Sequence, residues 1–254
     1  MSDPSLPEGS GSADIPQEMS LVAHLIELRG RLLRAVLAIV VAFVAVFPFA
    51  RPIYNWLAQP LLARLPAGGS MIATGVTTPF FIPMKVAGLV ALLLALPMVL
   101  YQAWAFVAPG LYAHEKRWVA PLILVSTGLF VAGMAFAYYA VMPMVFGFVT
   151  AVAPEGVAVM TDIASYFDFV LGLFVAFGVT FEVPVLVVVL IKVGLVTVAK
   201  LREWRPYVIV GAFVVGAIFT PPDVISQLMM AIPLWLLYEL GIVVGAAVAA
   251  PRQN

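Results

Sequence analysis

Cysteine is absent from the 254 residues, which excludes disulfides, thiolate nucleophiles and cysteine-built metal sites. Histidine occurs only at His24 and His114, too few for a histidine-built metal centre. Charge is scarce: 13 basic and 13 acidic side chains make up 10% of the chain and cancel, where an average soluble domain carries about 25%. No basic excess points to a nucleic acid. The H-E-x-x-H, G-x-S-x-G and P-loop patterns are all missing. No catalytic role and no cofactor are expected, and any energy source must lie outside the chain.

Apolar residues take the vacated share. They form 64% of the chain, against roughly 45–50% in soluble proteins, and they gather in six long stretches. Water gives such a surface no stable place, whereas lipid solvates it. Runs such as Val36 to Phe47 and Val183 to Ile191 are apolar at nearly every position rather than at alternate ones. That argues for helices and against a β-barrel. The fold class is therefore all-α, a polytopic membrane protein with six transmembrane helices.

Residues 1–18 are polar, acidic and rich in Pro, Gly and Ser, without the basic start and apolar core of a cleavable signal, and read as a disordered tail. Residues 19–249 form one six-helix domain, and 250–254 a second tail. A short amphipathic segment, Met19 to Leu28, opens the domain with Ser20 as a cap. Span one runs from Leu33 to Ala50, and Glu27, Arg31 and Arg34 share a helical face just before it. The linker from Arg51 to Thr78 begins as an interfacial helix, with Tyr54 and Trp56 at headgroup depth, and holds the breaker Pro66-Ala67-Gly68-Gly69.

Span two runs from Pro79 to about Tyr101, and span three from Trp118 to Met142, ending near Pro143. Span four, Ile163 to Val193 with Asp162 as its cap, would reach roughly 45 Å across roughly 30 Å of hydrocarbon, so it tilts or kinks, with Pro184 the obvious site. Pro206 to Phe219 and Val224 to Ala249 follow, split by Thr220-Pro221-Pro222-Asp223. Span five falls short of the ~20 residues usual for a crossing. A re-entrant hairpin over 206–249 is the alternative; two spans are favoured. Arg29, Arg31, Arg34, Lys116, Arg117, Lys192, Lys200, Arg202, Arg205 and Arg252 fall on one side, and Arg51, Arg64 and Lys85 on the other. By the positive-inside rule both termini are cytoplasmic.

Glu182, beside Pro184 within span four, is the most informative residue. A lone carboxylate there is costly unless protonated, paired or wet. The plain reading is a neutral acid donating to the carbonyl that Pro184 leaves free. The functional reading is a polar contact for a partner helix or an intramembrane substrate, and Glu239 in span six carries the same two readings. Asp162 and Asp168 read as interfacial caps. Glu115, flanked by His114, Lys116 and Arg117, and Glu27, paired with Arg31, are solvated surface charges unless they meet across the cytoplasmic face. There they would suit paired guanidinium groups. Asp223 reads as a helix cap, and Gln227 as an amide bonding across helices.

Longer stretches are far more specific than any of these residues alone. HLIELRGRLLR, SMIATGVTTPFFIPMK, YQAWAFVAPGLYAHEKR, GMAFAYYAVMP, FGFVTAVAPEGVAVMTDIASY, FGVTFEVPV, RPYVIVGAFVVGAIFTPPDVISQ and AIPLWLLYELG resemble the TatC family of the twin-arginine protein translocase, from His24 to about Gly241. The resemblance implies a concave six-helix bundle, with helices five and six short. It also implies a receptor for signal peptides with consecutive arginines on folded cargo. By family position, Glu115 would be the main acceptor of the arginine pair, supported by Glu27. Phe106 and Gln102 would shape the adjoining surface, and Arg29 would hold the amino-terminal segment. Glu182 would line the concave membrane face, Asp223, Gln227 and Glu239 match other polar positions, and Pro60 lies in an outer loop tied to assembly or coupling. The implied partners are TatA and TatB, further TatC copies and folded cargo, powered by the proton-motive force in the bacterial inner membrane.

A proton-coupled small-solute transporter with Glu182 as carrier is the competing reading. It fits poorly, because no repeat relates the spans and buried charge is sparse. An intramembrane hydrolase lacks a nucleophile–base pair or metal ligands.

Overall fold

A computed structural model describes residues 15–62, 71–107, 119–152, 162–219 and 224–249, which are almost entirely helical. Helix α1 (Ile15–Val46) passes through a 3-10 turn (Phe47–Phe49) into α2 (Ala50–Leu62). Then come α3 (Thr78–Val107), α4 (Val119–Phe136), a π-helical turn (Ala137–Val141) and α5 (Met142–Val152). The second half holds α6 (Ile163–Thr180), α7 (Val183–Lys192), α8 (Val198–Glu203), α9 (Arg205–Phe219) and α10 (Val224–Ala249). Among the described residues, five helical stretches are long and apolar enough to cross a membrane: Leu25–Gln59, Thr78–Val107, Val119–Phe148, Ile163–Lys192 and Gln227–Val248.

Several boundaries differ from the sequence expectation. The amphipathic segment and span one are a single helix beginning at Ile15, inside the stretch expected to be disordered, so Ser20 lies within the helix rather than at its start. Residues 17–46 contain no proline and one glycine, and the arginines among them are good helix formers. The following α2 does not simply lie at an interface. Leu57 and Ala58 are buried, Tyr54 stacks on Phe167 with ring centres 4.9 Å apart, and Trp56 stays exposed, stacked against Tyr138.

Pro143 does not end span three, which continues to Val152. The π-turn just before it widens the helix where the proline ring would otherwise meet the carbonyl four residues back. The expectation of a short helix six is also overturned: α10 is 26 residues long and carries Pro233 inside it. Packed membrane helices tolerate such a proline because neighbours re-satisfy the freed backbone groups. Of the last two helices, α9 with 15 residues is the short one. Span four is interrupted where its proline demands: the break at Phe181–Glu182 falls between Pro184 and the Thr180 carbonyl four residues back, which the ring would otherwise meet. Its second piece ends on Gly194, whose φ of +80° suits glycine, with the Leu195 amide donating to the Leu190 carbonyl at 3.0 Å.

Phe167, Val170, Leu173 and Phe177 of α6 are nearly inaccessible and form the centre of the core with Val86 of α3, Phe130 of α4 and Met230 of α10. By contrast α1 touches the bundle mainly through α3, where Val46, with Ala50 at the start of α2, closes on Ala87. Leu33, Leu37, Val41 and Val44 remain outward, the surface that lipid rather than water accommodates.

Candidate functional site

The antiparallel register of α1 and α3 builds the first site. Val46 and Ala50 meet Ala87 at one end, while Arg34 shares a groove with Met98 towards the other. Glu27, Arg29, Gln102 and Phe106 therefore gather at the same end of the bundle. Arg31 donates to Glu27 Oε1 from Nε at 2.9 Å and from Nη2 at 2.5 Å, the pairing expected from their spacing. Arg29 is exposed and Phe106 half-buried. Gln102 is only 3% exposed; its Nε2 contacts Met98 Sδ at 3.8 Å, and its Oε1 has no partner among the described residues. Glu115 lies outside the described residues.

A second site surrounds the break in span four. Both Glu182 oxygens are shielded and lack a hydrogen bond among the described residues, so the expected bond to the proline-freed carbonyl is not made. The Ser126 hydroxyl neighbours the carboxyl. Ser126 is itself fully buried and accepts from Trp104 Nε1 at 3.0 Å, which ties α3 to α4.

Glu239 and Gln227 behave differently, each bonded within the chain. Arg205 Nη2 donates to Glu239 Oε2 at 2.6 Å, and the adjoining Tyr238 hydroxyl donates to the Leu201 carbonyl at 2.8 Å. Gln227 Nε2 donates to the Phe213 carbonyl at 3.1 Å, joining α9 to α10. Pro60 lies in the last turn of α2. Asp223 falls outside the described residues.

At the opposite end, Asp162 caps α6 as its position suggests, accepting from the Ser165 amide at 3.1 Å. It also accepts from the Thr74 amide at 3.1 Å and hydroxyl at 2.9 Å, which anchors the segment before α3. The Ser165 amide first, then Thr74, hold its carboxyl down at about 2. Asp168 is not a cap: Lys85 Nζ donates to it at 2.5 Å from α3. Sequence reading missed Arg205, Thr74, Lys85 and Ser126 as partners. Only Ser126, a polar residue inside LILVSTGLF, carried a local signal.

Long apolar helices with polar side chains paired across their boundaries define an α-helical multi-pass membrane protein. Residues 23–233 match the family model for the Sec-independent protein translocase protein (TatC). The chain is 58% identical to the TatC of Azotobacter chroococcum mcd 1 over 92% of both chains. It is 54% identical to that of Escherichia coli strain K12 over 87% of this chain and 86% of the other. A crystal structure of the twin arginine translocase receptor TatC in DDM superposes with a TM-score of 0.76 at 41% identity, covering 87% of this chain and 99% of that one. The chain belongs to the TatC family: it is a subunit of the Tat protein translocase, a transport component rather than an enzyme.

Proposed function

We propose that this subunit is the twin-arginine signal-peptide receptor and core of the translocase, exporting folded proteins across the bacterial cytoplasmic membrane on the proton-motive force. Likeness to the solved receptor over nearly its whole length carries the reading. Glu115 accepts the arginine pair, and Glu27, Arg29, Gln102 and Phe106 complete the surface. An exposed Glu27 and a buried, half-satisfied Gln102 at one end of the bundle support that arrangement. In this reading α9 is a sixth span of roughly 22 Å, short enough to thin the bilayer beside it. Both termini are cytoplasmic and the bundle is concave. Residues 19–249 act as one domain, between terminal tails of 1–18 and 250–254.

TatA, TatB and further copies of the chain are the partners, together with folded cargo. Glu182, Gln227 and Glu239 serve as intramembrane polar contacts, and Pro60 and Asp223 act in outer-side structure or coupling. Glu182, shielded and without a hydrogen bond among the described residues, favours such a role for that residue most directly.

Binding of twin-arginine peptides to the protein in nanodiscs, in Arg-Arg and Lys-Lys versions, tests the proposal. Arg-Arg should bind better, Glu115→Gln should abolish that preference, and Glu27→Gln should weaken it. Binding that ignores both the peptide swap and the substitutions would overturn it.

A further inference from the structure

A groove of about 520 Å³ lies between α1 and α3, open to the surroundings of the bundle. Ala38 and Ala42 of α1 and the buried Ala95 of α3 form its floor, and the exposed Val41 and Leu94 flank it. The groove is apolar except at one end, where Arg34 stands. Arg34 is exposed, and its Nε donates to the Gly30 carbonyl at 3.1 Å, which holds the guanidinium on the polar side of the groove. Arg31, on the same face, is already engaged by Glu27. Among the described residues, Arg34 is thus the cation that lines the groove's mouth.

A single guanidinium above a narrow apolar channel has the charge pattern of one phospholipid molecule. The guanidinium fork matches a phosphate, and the alanine floor admits an acyl chain. A protein helix laid in the same place would cover the Arg34 guanidinium with apolar side chains unless it brought a carboxylate to that level. We propose that the α1–α3 groove seats an anionic phospholipid from the leaflet on the Arg34 side. Naming that leaflet cytoplasmic rests on the orientation proposed above; the site itself does not.

Native mass spectrometry of the full chain, titrated with phosphatidylglycerol or phosphatidylcholine of identical acyl chains, tests the site. Wild type should retain phosphatidylglycerol preferentially, and Arg34→Gln should reduce that preference about fivefold. Ala42→Leu, which fills the floor, should reduce retention of both lipids. Lys200→Gln, whose ammonium pairs with Glu203 and is not part of the groove, should leave the preference intact. Wild-type preference in Arg34→Gln, or wild-type retention in Ala42→Leu, overturns the proposal. So does a change in the number of chains per particle with lipid retention unaltered, which would give the groove to a protein helix. Lipid retention is read without any signal peptide, so failure here is separate from failure of the receptor reading.

Discussion

Glu239 and Glu182 are both acids within apolar helices, but they are accommodated in opposite ways. Glu239 gives one oxygen to Arg205 at 2.6 Å, and its neighbour Tyr238 fastens to the Leu201 carbonyl, so α8, α9 and α10 are tied together. Glu182 has two shielded oxygens and no such tie among the described residues. The first acid contributes to holding the bundle together. The second is a desolvation cost offset among the described residues by no more than the neighbouring Ser126 hydroxyl, a situation tolerated in natural proteins mainly where function needs the group. The two regions nonetheless touch. Gly241 lies two residues beyond Glu239, and a Cβ there would come within 2.9 Å of Pro184 Cα, two residues beyond Glu182.

The strongest way to disturb this comparison is at that contact. Gly241→Val forces α10 off α7 and should destabilise the protein by about 3 kcal/mol. Intrinsic tryptophan fluorescence during unfolding in detergent would read this, since the absence of cysteine rules out thiol-reactive dyes. An unchanged transition would mean the helices do not pack as closely as described.

Next in size is Glu239→Ala, which leaves Arg205 without its acceptor. It should cost about 1–2 kcal/mol. In a double-mutant cycle with Arg205→Ala, the loss should be clearly less than additive. Additivity would show that the ion pair contributes nothing.

Asp162 sharpens the contrast as an acid with ample donors. Its folded carboxyl sits at about 2, below the ordinary 3.8. Its bonds therefore stabilise the fold above pH 3.8, and that contribution is lost as pH falls towards 2. Asp162→Asn should lower the neutral-pH unfolding temperature and flatten the acid limb between pH 3.8 and 2. An acid limb identical to wild type would contradict the cap.

The smallest effect belongs to Glu182→Gln. With no more than the neighbouring Ser126 hydroxyl to lose, it should shift stability by under about 1 kcal/mol, while impairing transport in the receptor reading. A large stability loss would instead mark Glu182 as structural, erasing the difference from Glu239.

Helix type and most span positions were legible because the apolar runs are long and periodic cues are local. The same locality explains the successes at Glu27–Arg31, one helical turn apart, and at Asp162, three residues from the amide it caps. Boundaries that depend on neighbours were not legible. Pro143 looks like a helix end in one dimension, but a π-turn before it lets the helix continue. Pairings across 34 to 88 residues, such as Arg205 with Glu239 and Thr74 with Asp162, leave no trace in spacing.

The sequence by itself determined that the chain is helical and suited to a membrane, because composition and hydrophobic run length decide which solvent a surface requires. It also determined the family, through extended stretches that no short motif could match. Only the tertiary structure decided which acids are paired, that Tyr54 turns inward, and that an Arg34-headed groove opens between α1 and α3. Those outcomes depend on which helices are neighbours and in what register, and residue order along one helix does not encode that directly.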